Sequence, residues 1–461
     1  MQETLSHYFG YKSFRPGQEE IITKILNHQH TLGVLPTGGG KSICYQVPGL
    51  MQGGTTIVIS PLISLMKDQV DQLQAMGIQA AYLNSSLTHK QQKEIEEQIK
   101  RGAIQFLYVA PERFENTFFL NLLRKIEIPL IAFDEAHCIS KWGHDFRPSY
   151  QSVIQKVFTL PQNFTIVALT ATATAEVQQD IMSKLSIGQN DVVKTSTKRR
   201  NLIFKVNPTY QRQKFVVDYV ANHEGQAGII YCSTRKQVEE LHEALNSEKI
   251  KSTIYHAGLT NKERIEAQND FLYDRVEVVI ATNAFGMGID KSNVRYVIHY
   301  NMPGDLESYY QEAGRAGRDG LKSECILLFS ERDKGLHEYF ITVSQADDDY
   351  KDKMGEKLTK MIQYTKTKKC LEATIVHYFE PNENLEECNQ CSNCIQENKT
   401  YDMTREAKMI ISCIARMKQQ ENYSVIIQVL RGEVTDYIKH HHYNELTTHG
   451  LMKNYTTSEL S

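Results

Sequence analysis

Two carboxylates and a histidine come directly after a short apolar run of the chain. The run is 129–133, and the side chains after it are Asp134, Glu135 and His137. An apolar run of this length is typical of a buried strand in a parallel sheet, and such sheets bind ligands beyond the carboxyl ends of their strands. We therefore predict that these side chains do chemistry at a sheet edge.

A glycine-rich loop, Thr37 to Ser42, lies between an apolar run and a helical pattern. Its backbone could approach phosphate oxygens closely because it contains three consecutive glycines, Gly38, Gly39 and Gly40. Lys41 would reach the outer phosphates, and the Ser42 hydroxyl would bind Mg²⁺. The strict motif has glycine where this chain has Leu35, but the strand, loop and helix context favours phosphate binding over a simple turn.

The segment that precedes this loop contains three residues whose side chains are suited to binding a nucleotide base. Tyr11 and Arg15 could stack on an adenine, and the Gln18 amide offers a donor and an acceptor to its edge. A plain N-terminal helix accounts for the isoleucines at 21, 22 and 25 but not for these three residues. Together with the phosphate loop, they predict an ATP site.

Two arginines three residues apart, Arg315 and Arg318, lie in the small-residue stretch from Gln311 to Gly320. Guanidinium groups are planar and permanently charged, so they suit a γ-phosphate during transfer. The alternative is an ordinary pair of surface salt bridges.

Four cysteines late in the chain have the spacing of a metal site. They are Cys370, Cys388, Cys391 and Cys394. Four thiolates at these steps fit tetrahedral Zn²⁺, with chance spacing as the alternative. The other cysteines fall in predicted strands or helices or beside the carboxylates, so we expect them to be packing residues: Cys44, Cys138, Cys232, Cys325 and Cys413.

The segment after the carboxylates is too aromatic and too charged for an ordinary connecting loop. It contains the chain's single tryptophan and four further candidates: Trp142, His144, Asp145, Phe146 and Arg147. Aromatic rings stack on bases regardless of the base sequence, and an arginine can bind a backbone phosphate. This combination indicates that the segment binds nucleic acid. Burial of Trp142 in the core is the alternative.

Strands and helices must alternate to position these residues. Apolar runs that alternate with helical patterns occur in two blocks, with predicted strands at 31–35, 55–60, 80–83, 105–109, 130–133 and 165–169, and then at 228–232, 252–255, 276–280, 294–300 and 325–329. This pattern predicts an α/β protein with two parallel sheets. Beyond Asp333 the chain becomes charged and helical.

Composition excludes some classes of protein. The 461 residues allow roughly three domains, and no apolar run is long enough to span a membrane. The N-terminus lacks the features of a signal peptide, so we expect a cytoplasmic protein. The net charge of −3 does not indicate nucleic-acid binding, and the local basic clusters, such as 198–200, are most simply solvated surface charge.

Taken together, these motifs resemble those of the RecQ family of superfamily 2 DNA helicases. The resemblance covers nearly the whole chain to about Gly432 and depends on the stretches 9–18, 37–42, 134–137, 142–147, 285–289 and 311–320. The four cysteines distinguish it from a generic helicase.

The resemblance implies a role for each candidate residue. Tyr11, Arg15 and Gln18 would hold adenine, and the loop from Thr37 to Ser42 would hold phosphate and Mg²⁺. Arg315 and Arg318 would contact the γ-phosphate from the second sheet, and Gln311 would also bind the nucleotide. Asp134 would orient Mg²⁺, and Glu135 would polarise the attacking water. His137 would sense the γ-phosphate unless it is a core histidine, and the loop from Trp142 to Arg147 would couple single-stranded DNA to hydrolysis.

The resemblance also implies four domains. These are a first RecA-like domain at 1–197, a second at 198–340, a helical zinc-binding domain at 341–402 and a partial winged-helix segment at 403–461. The expected function is ATP-dependent 3′ to 5′ translocation on single-stranded DNA with duplex unwinding, in DNA repair and recombination. We expect tailed or forked duplexes as partners and association with the nucleoid. Because the chain stops soon after the winged helix begins, we expect duplex-end binding to be affected more than ATPase activity.

Two other functions stay open at this stage. An RNA helicase would share the ATP site, although the zinc cysteines and the aromatic loop favour DNA. A factor that anneals strands without unwinding them is the second alternative, suggested by the short C-terminal segment.

Overall fold

The computed structural model describes residues 1–85, 87–143, 145–282, 285, 291–395 and 404–460, without the side chains of Ser64, Asn261, Ser458 and Glu459. The chain divides into two compact units, Met1–Ile395 and Gln396–Ser461. The candidate residue His144 and the stretch 286–289 lie outside the described residues.

Two parallel sheets form the body of the first unit. Most of their strands are buried and apolar, as expected where helices cover both faces of a sheet. The strands are β1 Thr31–Val34, β2 Thr56–Ile59, β3 Ala80–Leu83, β4 Phe106–Val109, β5 Leu130–Phe133, β6 Thr165–Thr170, β7 Val192–Lys194, β8 Leu202–Pro208, β9 Ala227–Tyr231, β10 Ser252–Tyr255, β11 Val278–Ala281, β12 Val294–His299 and β13 Ser323–Phe329.

Strand order determines which loops meet. The first sheet has the order β3-β4-β2-β5-β6-β1-β7, the second has the order β10-β11-β9-β12-β13-β8, and the pairings are parallel. The predicted fold class and all eleven predicted strands are confirmed. Strands β7 and β8 were not predicted, because β7 is only three residues long and β8 includes half-buried polar residues such as Lys205 and Asn207.

The helices of the described chain connect and cover these strands. They are α1 Gln2–Phe9, α2 Gln18–Leu26, α3 Ile43–Gln52, α4 Ile63–Ala75, α5 His89–Lys100, α6 Thr117–Leu123, α7 Pro148–Val157, α8 Ala175–Leu185, α9 Arg212–Ala221, α10 Arg235–Ser247, α11 Asn261–Leu272, α12 Leu306–Ala313, α13 Glu331–Val343, α14 Asp348–Lys366, α15 Leu371–Phe379, α16 Ser392–Ile395, α17 Thr404–Arg416, α18 Tyr423–Arg431, α19 Asp436–His440 and α20 Thr457–Leu460.

The helical segment after the second sheet shares a hydrophobic core with that sheet. Tyr309 of α12 packs on Tyr364 of α14, and Tyr310 packs on Phe379 of α15, each with ring centroids 5.4 Å apart. Such aromatic pairs add stabilisation beyond the area they bury. The predicted charged helical segment is therefore built onto α12, which leads into the stretch with Arg315 and Arg318.

The second unit has a small core of its own between α17, α18 and α19, with Cys413, Val429 and Ile438 at its centre. Cys413 and the four other cysteines predicted to pack are buried, as expected. Among the helices described, none combines the length and the apolar composition needed to cross a bilayer.

Candidate nucleotide site and its connections

Three neighbouring strands bring the predicted site residues together. β5, β6 and β1 are adjacent in the first sheet, with Ile131 level with Ile166 and Thr31 level with Val167. Because all three run in parallel, their carboxyl ends meet at one edge. The phosphate loop after β1 therefore lies beside Asp134 after β5 and the end of β6.

A cavity of about 380 Å³ opens at this edge. It is lined by most of the residues predicted to bind nucleotide, from both sheets: Tyr11, Arg15, Gln18, Gly38, Gly40, Lys41, Ser42, Asp134, Glu135 and Arg318. Its size suits a nucleotide. Three basic and two acidic side chains thus share one opening.

The phosphate loop is shaped by contacts with the segment before α2. Gln18 is 3% exposed, and its Nε2 donates to the carbonyl oxygens of Gly39 and Gly40 at 3.1 and 2.9 Å. Gly40 has φ +72°, and a Cβ there would lie 2.6 Å from the Gln18 amide nitrogen, so the position favours glycine. Arg15 donates its backbone N–H to the Gln18 amide oxygen at 2.8 Å and its guanidinium to the Gly38 carbonyl. Gln18 therefore braces the loop.

Asp134 and Glu135 have different surroundings. Burial, followed by the neighbouring charge of Glu135, raises the pKa of Asp134 to about 7. Glu135 has the left-handed φ of +47° and lines the cavity together with Asp134. A divalent cation beside Asp134 would compensate the unfavourable charge of its buried carboxylate. Mg²⁺ prefers hard oxygen ligands, which Asp134 and Ser42 provide.

His137 connects the carboxylates to the end of β6. Its Nδ1 lies 3.1 Å from Thr170 Oγ1 and 3.4 Å from Glu135 Oε2. Thr170 Oγ1 in turn donates to the Thr172 carbonyl at 3.1 Å. The histidine is buried and is also part of a polar chain that leads away from the cavity.

The second sheet closes the cavity with Arg318. The Arg318 side chain lies against Gly38, where an added Cβ would come within 3.3 Å of Arg318 Cγ. Thr37 Oγ1 donates to the Gly314 carbonyl at 3.0 Å. The phosphate loop is therefore in direct contact with the arginine stretch.

Arg315 and Gln311 are not brought to this cavity. Arg315 is 5% exposed. With Gln311 and Tyr231 it lines a different cavity, of about 370 Å³, that also includes Asp145 of the aromatic loop. The two predicted arginines thus face different openings.

The aromatic loop is tightly structured where it is described. Arg147 Nη2 and Nε donate to Asp145 Oδ2 at 3.1 and 3.2 Å, and Nη1 donates to the Pro61 carbonyl at 2.9 Å. Trp142 is half-buried against the core of the first sheet, and Phe146 is also half-buried. Both rings therefore pack on the protein while keeping exposed surface.

One residue that the sequence reasoning missed fixes this loop. Lys357 Nζ of α14 donates to the Trp142 carbonyl at 2.8 Å and lies 3.0 Å from Glu307 Oε1 of α12. Burial and the charge of Asp305 raise the pKa of Glu307. Nothing in the helical pattern around Lys357 distinguishes it from the solvated lysines of the same helix.

The predicted zinc cysteines come together at the start of α15. Their Sγ atoms all lie within 4.8 Å of one another. The separation is 3.9 Å for Cys391 and Cys370, 3.5 Å for Cys391 and Cys394, and 3.9 Å for Cys388 and Cys394. A tetrahedral zinc with Zn–S bonds of about 2.3 Å places its sulfurs roughly 3.8 Å apart.

Backbone donors complete this cluster. The N–H of Leu371 points to Cys391 Sγ at 3.4 Å, that of Cys391 to Cys388 Sγ at 3.2 Å, and that of Ala373 to Cys370 Sγ at 3.4 Å. Such donors stabilise thiolate ligands, so the four residues fit Zn²⁺.

The fold and the site together define a nucleotide-hydrolysing motor of the helicase class, with a phosphate loop on one parallel sheet and an arginine on the other. Four family models match in sequence order: DEAD/DEAH box helicase over residues 15–181, helicase conserved C-terminal domain over 211–320, RecQ zinc-binding over 331–395 and RQC domain over 397–461.

Curated relatives specify the family. The chain is 46% identical to the ATP-dependent DNA helicase RecQ of Bacillus subtilis over 461 residues, which is 100% of this chain and 78% of the relative. It is 40% identical to the RecQ of Pasteurella multocida, over 98% of this chain and 71% of the relative. The chain belongs to the RecQ family of ATP-dependent DNA helicases.

Solved structures agree on the fold. Mycobacterium smegmatis helicase Lhr, bound to single-stranded DNA and AMP-PNP, has a TM-score of 0.58 at 17% identity, over 79% of this chain and 57% of the other. Saccharomyces cerevisiae Dbp5, bound to RNA and ADP BeF3, has a TM-score of 0.60 at 19% identity, over 78% and 97%. The likeness at this identity concerns the two-sheet architecture.

Proposed function

We propose that this chain is a DNA-stimulated ATPase that moves 3′ to 5′ on single-stranded DNA and separates the duplex ahead of it. The observation that carries this proposal is the cavity walled by Lys41, Asp134 and Glu135 from the first sheet and by Arg318 from the second. A nucleotide bound there would touch both sheets, so that hydrolysis changes how they are held together.

The chemistry needs positioning and charge, since phosphoryl transfer requires no covalent intermediate with the protein. In this proposal Lys41 and Arg318 stabilise the charge of the outer phosphates, and Glu135 orients and polarises the attacking water. Asp134 and Ser42 hold the Mg²⁺, which supplies charge neutralisation when bound.

The other predicted residues have supporting roles in the same proposal. Tyr11 and Arg15 stack on the base, while Gln18 links the base region to the phosphate loop through its contacts with Gly39 and Gly40. Arg315 and Gln311 would reach the nucleotide only after a further movement of the second sheet, because here they line the neighbouring cavity.

The DNA-coupling role falls to the loop from Trp142 to Arg147. It begins a few residues after Glu135, and Asp145 lines the same cavity as Arg315. Bases stacking on Trp142 and Phe146 would shift this loop, and His137 with Thr170 offers a second connection to the carboxylates. His144 belongs to the same predicted set but lies outside the described residues.

Boundaries at 197/198, 340/341 and 402/403 are part of this proposal. The boundary at 197/198 falls between the ranges of the first two family models, whereas 340/341 lies within the zinc-binding range and 402/403 within the RQC range. If the protein acts on chromosomal DNA in repair and recombination, it should be found in the cytoplasm with the nucleoid. Fluorescence microscopy of a tagged chain would test this location.

The deciding experiment is strand separation on three matched substrates: a 3′-tailed duplex, a 5′-tailed duplex and a fork. We expect ATP-dependent unwinding of the 3′-tailed duplex and the fork but not of the 5′-tailed duplex. ATPase stimulation by single-stranded DNA should exceed stimulation by RNA of the same length. Preference for RNA, or strand annealing without ATP and without unwinding, would overturn the proposal.

A further inference from the structure

One arginine of the segment between the two sheets contacts both halves of the nucleotide cleft. Arg199 Nη1 donates to the Thr37 carbonyl at 2.7 Å. Its Nη2 donates to the carbonyls of Gly317 and Ala316 at 3.0 and 3.2 Å. Thr37 opens the phosphate loop, and Gly317 immediately precedes Arg318. A single guanidinium therefore joins the loop that binds phosphate to the turn that presents the arginine.

The turn around Gly317 is built on this segment. Asn201 Nδ2 donates to the same Gly317 carbonyl at 2.8 Å and to the Leu321 carbonyl at 3.0 Å, and Arg199 Nε donates to Asn201 Oδ1 at 3.4 Å. Gly317 has φ +58°, and a Cβ there would lie 2.4 Å from Asn201 Nδ2. A side chain at this position would push the turn away, so the backbone of the turn is fitted to Asn201.

Contacts outside the cleft hold the segment itself in place. The Thr197 N–H donates to Glu380 Oε1 at 2.7 Å, and the Tyr310 hydroxyl donates to the Thr197 carbonyl. On the other side of Arg199, Gln390 Nε2 donates to the Arg200 carbonyl at 3.0 Å. Glu380 and Gln390 both lie between Cys370 and Cys391 in the chain, so the zinc-binding segment supports the backbone from which Arg199 extends.

We propose that Arg199 is a positioning residue for ATP hydrolysis, which holds the turn carrying Arg318 against the phosphate loop. Its two Nη groups face different halves of the cleft, so separation of the sheets must break one set of hydrogen bonds. Lysine could not replace it, because a single ammonium is a point charge and lacks the planar fork that serves both sets. This role rests on the proposed ATPase function. It explains how closure of the cleft between the two sheets would bring Arg318 into position.

The test compares Arg199→Ala and Arg199→Lys with Arg200→Ala, a control that removes the adjacent exposed arginine. A displacement of about 1 Å at a reacting centre lowers the rate by roughly 100-fold. We therefore expect both Arg199 variants to lose roughly 10- to 100-fold in kcat for DNA-stimulated hydrolysis, with KM for ATP changed by less than about threefold. Arg200→Ala should match the unmodified chain.

A double-mutant cycle separates positioning from general destabilisation. If Arg199 acts through Arg318, then adding Arg199→Ala to Arg318→Ala should lower kcat by less than about threefold further. Fully additive losses would overturn the proposal, as would a drop in Tm of Arg199→Lys large enough to account for its lost activity. Absence of DNA-stimulated ATPase in the unmodified chain would instead reject the proposed function, which keeps the two failures distinct.

Discussion

The ammonium group of Lys357 lies 3.0 Å from the carboxylate of Glu307, and both side chains are almost fully buried. Lys357 belongs to the zinc-binding helical segment and Glu307 to α12 of the second sheet. Because the same ammonium also donates to the Trp142 carbonyl at 2.8 Å, one ion pair fixes the aromatic loop to two other parts of the molecule.

Replacing Lys357 alone should therefore be costly. Lys357→Met leaves Glu307 buried without its cation, and losing one partner of a buried pair costs about 3–5 kcal/mol. Denaturant unfolding would measure this loss. The matched control is Lys357→Met with Glu307→Leu, which should recover most of the stability because no buried charge remains. Equal stability of the single variant and the unmodified chain would show that the pair is not structurally important.

Lys41→Ala should abolish ATP hydrolysis while leaving binding of single-stranded DNA largely intact. Lys41 lines the cavity with Asp134 and Arg318, whereas the aromatic loop lies outside the set of residues that line it. Steady-state ATPase assays and fluorescence anisotropy with labelled DNA would measure the two properties. Lys90→Ala, which removes an exposed lysine of α5, is the control for charge. Full turnover by Lys41→Ala would reject the proposed site.

Trp142→Ala should uncouple ATP turnover from DNA. Loss of one stacking ring costs roughly 1–3 kcal/mol per base, so DNA affinity should fall by about 5- to 150-fold. KM for ATP should change little, since Trp142 does not line the nucleotide cavity. Phe118→Ala is a suitable control, because Phe118 belongs to the same sheet domain and is 84% exposed. If DNA stimulates ATP hydrolysis by Trp142→Ala as strongly as it does in the unmodified chain, then Trp142 serves only in packing.

The nucleotide site could be predicted because its residues are local in sequence. Thr37 to Ser42 and Asp134 to His137 each follow a strand, and the strand order alone brings those strand ends to one edge. Arg318 was predicted from the chemistry of its guanidinium. That Arg315 lines a different cavity was not predicted, because sequence spacing does not reveal which residues of a turn face the cleft.

Residues that act between distant segments could not be found in this way. Arg199 looks like part of a solvated basic cluster, yet its partners lie 162 and 118 positions away. Lys357 is 215 positions from Trp142. Their roles depend on tertiary packing. A pattern of hydrophobicity or charge in the sequence does not show which distant carbonyl oxygen will accept a hydrogen bond from a given cation.

Removal of the zinc site should weaken the second sheet as well as the cysteine loop. Gln390 Nε2 donates to the Leu202 carbonyl at 3.2 Å, and Ser392 Oγ accepts from the Val206 N–H at 3.3 Å. Both partners are in β8, the edge strand of that sheet. Binding of a structural metal is coupled to folding, so a chain without zinc should lose these contacts.

Cys391→Ala tests this expectation, since Cys391 is buried and its Sγ has short contacts with both Cys370 and Cys394. Elemental analysis should find one zinc per unmodified chain and none in the variant, and the variant's Tm should fall. Cys413→Ala is the control, because Cys413 packs in the core of the other unit and should leave the zinc content unchanged. Retention of zinc by Cys391→Ala would show that the metal is held elsewhere or by the remaining three cysteines alone.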